Sequence, residues 1–377
     1  IPFYLEGLQK SIVDGDYTNS DQIVESIKKY QAKFGAEVMP SETKINLEIA
    51  YNKINIFERL YPFYMLIGFV FLIMLYVRLL IPSVKLKWGI KGMQWLIIAA
   101  FLIHATGLAM RWYISGHEPW SNGYESMLYI AWAGLLAGII FRQKSPITMA
   151  VTSILAGIIL FVAHLSWMDP EITNLVPVLK SYWLTIHVAT ITASYGFLAL
   201  GALLAFVNIL TMMMRRDSNR HRLNLTIKEV TYVIEMTLIV GLVMLTIGNF
   251  LGGIWANESW GRYWGWDPKE TWAMASIIFY AFVLHMRFIP GLRGPYAFNF
   301  AAMITFSSII MTYFGVNYYL SGLHSYAKGD PVPIPDFVYY TLGVIAVVSI
   351  LAFISELTDR KKNKAKPKRI VDMGVGE

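Results

Sequence analysis

Seven histidines and one eighteen-residue stretch carry most of the chemistry this chain offers. The stretch, Trp255 to Trp272, reads WANESWGRYWGWDPKETW and holds five tryptophans, Tyr263, Gly261, Gly265 and the run Asp267-Pro268-Lys269-Glu270. Part of it is ordinary helix punctuation. Asp267 suits an N-cap, Pro268 the first helical position, and Glu270 can close a capping box. Trp and Tyr also gather where helices meet lipid headgroups. Such a belt needs only a ring or two per helix end, whereas indoles spaced by glycines describe a surface on which a flat hydrophobic ligand lies. His187, in SYWLTIHVATITASYGFLALG, precedes the stretch, and His324, in YYLSGLHSYA, follows it. One histidine at a helix end is commonly a polar anchor. Two flanking an aromatic platform fit better as axial nitrogens on a haem iron, with aromatic rings packed on the porphyrin faces and edges.

The other histidines divide. His285 lies in an apolar segment, and an ionisable group at membrane depth is a functional candidate by default. Counting along a helix places it roughly 18–20 Å below the surface that carries the stretch, and His104 at roughly 15 Å. The two share a ligand if their helices touch; equally, His104 hydrogen-bonds across helices. His117, in Ser115-Gly116-His117-Glu118-Pro119, is open between a direct role and a loop contact. His164 reads as interfacial and His221 as solvated in a basic connection.

These groups must be positioned by helices in a bilayer. Hydrophobic residues make up 56% of the 377 and charged residues only 15%, so the fold class is all-α, a polytopic membrane protein. Nine apolar segments are expected at about 61–81, 93–114, 125–142, 146–166, 183–213, 230–253, 271–289, 298–320 and 337–357. Every second connection is basic: Lys85 and Lys87, Arg142 and Lys144, Arg215 to Lys228, Arg287 and Arg293, then a tail rich in Lys and Arg. By the positive-inside rule the N-terminus is outside, the tail is cytoplasmic, and the tryptophan stretch is a loop on the outer face. The net charge of +7 is thus a topology signal, and no nucleic-acid motif accompanies it. Residues 1–60 read as an extracytoplasmic segment, 61–357 as the transmembrane domain and 358–377 as a basic cytoplasmic tail. The chain begins with Ile and shows no signal peptide, so it reads as processed or as the C-terminal part of something longer. Cysteine is absent, which excludes thiolate metal sites and Cys nucleophiles.

The run Trp260 to Trp272, WGRYWGWDPKETW, resembles the WWD signature of haem-handling membrane proteins. More closely, the chain resembles the Ccs-type (system II) cytochrome c synthases, in the CcsA/ResC-like half of a CcsBA-type fusion. GHEPWSNGYES, from Gly116 to Ser126, is similar to that half's outer-loop motif. His187 and His324 stand where the family has histidines before and after the signature, and His285, in AFVLHMRF, where it has a membrane-embedded one. The resemblance covers roughly residues 61–357, with the leading part like the end of the partner half.

What it implies is cytochrome c biogenesis in a bacterial inner membrane. Haem b is held within the membrane by a histidine pair that includes His285, the second histidine coming from the CcsB-like half. It is then presented at a periplasmic-face WWD site with His187 and His324 on the iron. Trp255, Trp260, Trp264, Trp266, Trp272 and Arg262 are expected against the haem, and His187, His324 and Asp267 at the reacting site. Arg111, Arg262 and Lys269 are candidate partners for the propionates. The partners implied are membrane lipids, an apocytochrome c whose Cys-x-x-Cys-His thiols add to the vinyl groups in a holocytochrome c synthase (haem lyase) reaction, and a thioredoxin-like reductant. Rival readings are haem delivery to a chaperone without thioether formation, a bis-histidine redox cytochrome, and a transporter relaying protons through histidines.

Overall fold

The computed structural model describes residues 2–165, 168–173, 180–320, 322–323 and 333–365, so His324 and most of the basic tail lie outside the described residues. The chain divides into residues 1–54 and 55–377. The first unit holds α1 (Pro2–Asp14), α2 (Thr18–Phe34) and α3 (Glu42–Ile54). Within it the hydroxyls of Ser11 and Ser20 pair at 2.8 Å.

The second unit contains α4 (Ile56–Leu80), α5 (Lys87–Ser115), α6 (Gly123–Phe141), α7 (Pro146–Ala163), α8 (Tyr182–Met213), α9 (Arg220–Trp260), α10 (Pro268–His285), α11 (Pro295–Ile310), α12 (Val316–Tyr319) and α13 (Asp336–Ala365). Among the described residues nine helices are long and apolar enough to cross a membrane, and no strand occurs. The protein is an all-α, multi-span membrane protein. The fit to the hydropathy reading is close at α8, where 183–213 is expected and Tyr182–Met213 is helical. It is poorer at α9, which runs well past the expected 230–253. Burial of Trp255 and Ala256 extends the helix, and Gly261, at φ 71°, closes it with its N–H on the Asn257 carbonyl at 2.9 Å. The tryptophan stretch is therefore helix, a short connection over 261–267, then helix again. In the eighth segment a π-helical turn, Met311–Gly315, separates α11 from α12.

Helix α8 is the hub, packing against α6, α7, α9, α11 and α13. Among its buried residues are Ala193, Ser194, Gly196, Ala199, Gly201, Ala202 and Ala205, interspersed with larger ones such as Tyr195, Phe197 and Leu198; the small residues let backbones approach where lipid provides no hydrophobic drive between helices. Side-chain amides add hydrogen bonds that no water competes for. Asn208 Nδ2 donates to Asn299 Oδ1 at 3.0 Å, and Asn299 Nδ2 donates to Thr231 Oγ1 at 3.1 Å, joining α8, α9 and α11. That clasp lies roughly 40 Å along α9 from Trp260.

His104, left open between a shared ligand and a cross-helix hydrogen bond, and Arg111, a propionate candidate, are both sealed in the bundle. His104 is fully buried, its Nε2 donating to the Leu128 carbonyl at 3.1 Å, its ring edge-on to Phe57. Helix α5 packs on α4, α6 and α7, and α10 on α9 and α11. His104 is thus the cross-helix hydrogen bond, not a second ligand beside His285; a porphyrin could reach it only by opening the core. Arg111 is 1% exposed. Its Nε donates to Glu125 Oε1 at 2.7 Å, and its terminal nitrogens to the carbonyls of Pro170 at 2.8 Å and Glu171 at 2.9 Å. Those bonds spend the fork on the protein itself, so Arg111 staples α5, α6 and the 168–173 segment together and is not placed for a propionate.

Candidate functional site

His187 sits in the second turn of α8. Its Nδ1–H donates to the Gly248 carbonyl at 2.7 Å, which sets the tautomer and puts the basic lone pair on Nε2. One turn along α9, Gly252 lies flat under the imidazole: a Cβ there would stand 2.6 Å from His187 Cε1 and 2.8 Å from Nδ1. Gly248 and Gly252, four residues apart on one helix face, are residues that sequence reasoning missed; their spacing in GNFLGG was the available signal. The ring borders a cleft of about 50 Å³, lined also by Asn249, Tyr263, Trp264, Lys269 and Glu270. Gly252→Ala should push the imidazole off the Gly248 carbonyl and weaken an iron porphyrin held at Nε2 by ~10–100-fold, the usual cost of losing an outer-shell partner. A titration midpoint matching wild type would refute that orientation.

The opposite wall of the cleft is the connection 261–267 and the first turn of α10. The capping box forms as its sequence suggests: Asp267 Oδ1 accepts the Lys269 N–H at 2.9 Å, and Glu270 Oε2 accepts those of Asp267 at 3.2 Å and Gly265 at 2.7 Å. Lys269 Nζ donates to Asn317 Oδ1 at 2.9 Å, tying this turn to α12. Arg262 lies over the Trp260 ring at 5.9 Å, with one terminal nitrogen 3.7 Å from Glu270 Oε1. That separation is an ion-pair distance, too long for a hydrogen bond; Lys269 is the cation that lines the cleft, and Arg262 stands beside its wall residue Glu270.

The five tryptophans do different things. Trp264 lines the cleft, and Trp266 meets it edge-on at 5.6 Å. Trp266 has φ 57° and is 66% exposed. A bulky residue held in left-handed backbone with its ring in the open is strain of the kind kept at functional sites. Trp255, expected on the platform, is 1% exposed and packs edge-on against Trp260 at 4.7 Å. It is a core residue, because α9 continues through it and turns it inward. Trp272 borders a separate groove of about 510 Å³ between α10 and α11.

The remaining expected residues fall as follows. His324 is outside the described residues, but its neighbour Leu323 donates its N–H to Asp267 Oδ2 at 2.7 Å. His285 is the last residue of α10, at the end away from the tryptophans, and is exposed. Its Nδ1 donates to the Ala281 carbonyl at 2.7 Å, so the lone pair there too is on Nε2. His117 directs its ring nitrogens at the Glu118 and Thr173 carbonyls, at 3.3 and 3.0 Å, a loop contact. Trp120, in the same motif, donates its Nε1–H to the Thr185 carbonyl at 3.2 Å, two residues before His187.

A family model described as cytochrome C assembly protein matches residues 120–324. The chain is 46% identical over 349 residues to protein NrfI of Wolinella succinogenes, covering 92% of this chain and 38% of that protein. It is 35% identical over 290 residues to the cytochrome c biogenesis protein CcsA of one Prochlorococcus marinus strain, covering 69% of this chain and 91% of that one. It is 36% identical over 246 residues to CcsA of another strain. The chain thus spans little more than a third of NrfI and most of the length of the CcsA relatives.

Proposed function

Since the chain belongs to the cytochrome c assembly protein family, we propose that it presents haem b for covalent attachment to an apocytochrome c. The observation that carries this is the convergence of His187, tautomer set by Gly248, with Trp264 and Lys269 on one cleft. At about 50 Å³ the cleft is too small to enclose a porphyrin, so the macrocycle lies across its mouth and remains open to a client. Haem is the substrate here.

His187 Nε2 holds one axial position, and an imidazole is the ligand type that tunes a haem iron's potential. His324 supplies the opposite one. Trp264 and Trp266 pack the ring, and Arg262 and Lys269 meet the propionates. Holding the vinyl groups toward the incoming thiols is a proximity effect. Each thiol adds across a vinyl double bond: the S–H bond and the vinyl π bond break, carbon–sulfur and carbon–hydrogen bonds form, and nothing is oxidised. The client's own histidine then replaces one axial ligand. With no cysteine in this chain, the client's thiols are kept reduced by a separate thioredoxin-like protein.

The basic connections share the end of the bundle opposite the tryptophans, which by the positive-inside rule is the cytoplasmic side of a bacterial inner membrane. His285, exposed near that end, is the inner haem ligand, its partner histidine coming from a CcsB-like half. Residues 61–357 are the haem-handling domain, residues 1–60 the end of that partner half, and 358–377 a cytoplasmic tail.

The test is the purified chain's optical spectrum with capture of a Cys-x-x-Cys-His peptide. A Soret band of low-spin, bis-imidazole haem and a trapped peptide are expected; no Soret band would end the haem reading, and haem without capture would favour delivery alone. Trp266→Gly should lose haem and capture yet melt no lower than wild type, because glycine relieves the left-handed backbone. A clearly lower melt would make Trp266 a structural residue.

A further inference from the structure

We propose that Asn317 is a positioning residue for the cleft: carried there by the π-helical turn, it aims the Lys269 ammonium so that the cleft selects porphyrins bearing ionised carboxylates. The proposal rests on the haem-presenting reading above. Lysine is a compact charge on a flexible four-carbon stem, and a cation with no fixed place discriminates poorly between ligands. Here Lys269 lines the cleft, and its Nζ donates to Asn317 Oδ1 at 2.9 Å. That partner is a neutral amide, which takes one of the ammonium's three donors and cancels none of its charge. The carboxylates nearest in sequence are engaged by backbone instead. Asp267 Oδ1 accepts the Lys269 N–H and its Oδ2 that of Leu323, while Glu270 Oε2 accepts those of Gly265 and Asp267.

Asn317 reaches Lys269 because of the turn before it. Over Met311–Gly315 the helix opens to π geometry, and the Val316 N–H closes it on the Met311 carbonyl, five residues back. One extra residue in a turn rotates everything after it by about 100°, so in an unbroken α-helix Asn317 would stand on another face. The turn is pinned on two sides. Thr312 Oγ1 lies 3.4 Å from Ser276 Oγ of α10, and Tyr313 Oη donates to the Gly123 carbonyl of α6 at 2.9 Å. Ser276 follows Lys269 by two helical turns and so shares its face of α10. One face of α10 therefore meets the π turn at Thr312 and α12 at Asn317, which fixes the amide against the ammonium.

The test is binding of iron protoporphyrin IX and of its dimethyl ester to the full chain in detergent, read as the ratio of the two dissociation constants. The ester keeps the ring and the iron and lacks the carboxylate charges. Wild type should prefer the free acid. Asn317→Leu should cut that preference about 10-fold, the scale of one charge-assisted hydrogen bond, to the ratio of Lys269→Met, with the ester bound within about twofold of wild type. The double variant should be no worse than Lys269→Met alone. Asn317→Asp keeps the shape and the contact but sets a negative charge beside the ammonium, so it should lower the ratio at least as far; it decides the matter should Asn317→Leu fold poorly. A wild-type ratio in either Asn317 variant would overturn the proposal, as would additive losses in the double variant. Equal losses for acid and ester, the mark of a merely structural residue, or a wild-type ratio in Lys269→Met would overturn it too. A wild-type chain that binds neither porphyrin would instead overturn the haem-presenting reading.

Discussion

His187→Ala should lower haem retention at the tryptophan site by at least about 100-fold, close to 2.7 kcal/mol, with exogenous imidazole restoring part of the Soret band. The size follows from the geometry. The ring is held on one side by the Gly248 carbonyl and on the other by the face of Gly252, so little ordering remains for binding to supply. Truncation removes a ligand already oriented, and the space left suits a free imidazole. His324→Ala should behave similarly in direction. Haem content and spectrum matching wild type in His187→Ala, measured in detergent against a folded control, would remove His187 from the iron.

The second large effect concerns stability. Glu125→Gln should destabilise the bundle by about 3–5 kcal/mol, the cost of leaving one partner of a buried ion pair uncompensated. Both side chains of the pair are 1% exposed and meet at 2.7 Å. Glu125 Oε2 also accepts the Ser121 N–H at 3.0 Å, and the Arg111 guanidinium lies 5.1 Å from the centre of the Tyr124 ring. Loss of the carboxylate therefore frees the loop between α5 and α6, whose Trp120 holds Thr185 close to His187. Replacing both partners with apolar residues of similar volume, Arg111→Met with Glu125→Leu, should cost less than Glu125→Gln, because no buried charge is stranded. Thermal melts followed by tryptophan fluorescence decide it; a double variant less stable than the single one would contradict this account.

Much of this molecule can be read without folding it. The span at α8 was expected within a residue of its observed ends because a bilayer demands a certain length of apolar helix and allows little else. The capping box at Asp267, Pro268 and Glu270 was equally readable, since it needs only residues three apart. Two of the candidate residues are engaged inside the bundle. Trp255 was expected on the platform from its place in the tryptophan run, and Arg111 was named a candidate for the propionates from its residue type near the outer face. Burial turned the first inward and spent the second on two carbonyls and a carboxylate.

From the amino-acid order alone come the all-helical membrane architecture, the order of the spans, the clustering of basic connections at one end, and the candidate histidines. These depend on local composition and period, which the bilayer enforces one segment at a time. Tertiary structure alone decided that Gly248 sets the His187 tautomer, that Trp264 and Trp266 are set apart from Trp255, and that Asp267 reaches Leu323. Such roles depend on which donor meets which acceptor across 56 or 61 residues of chain, and that is settled only when the helices pack.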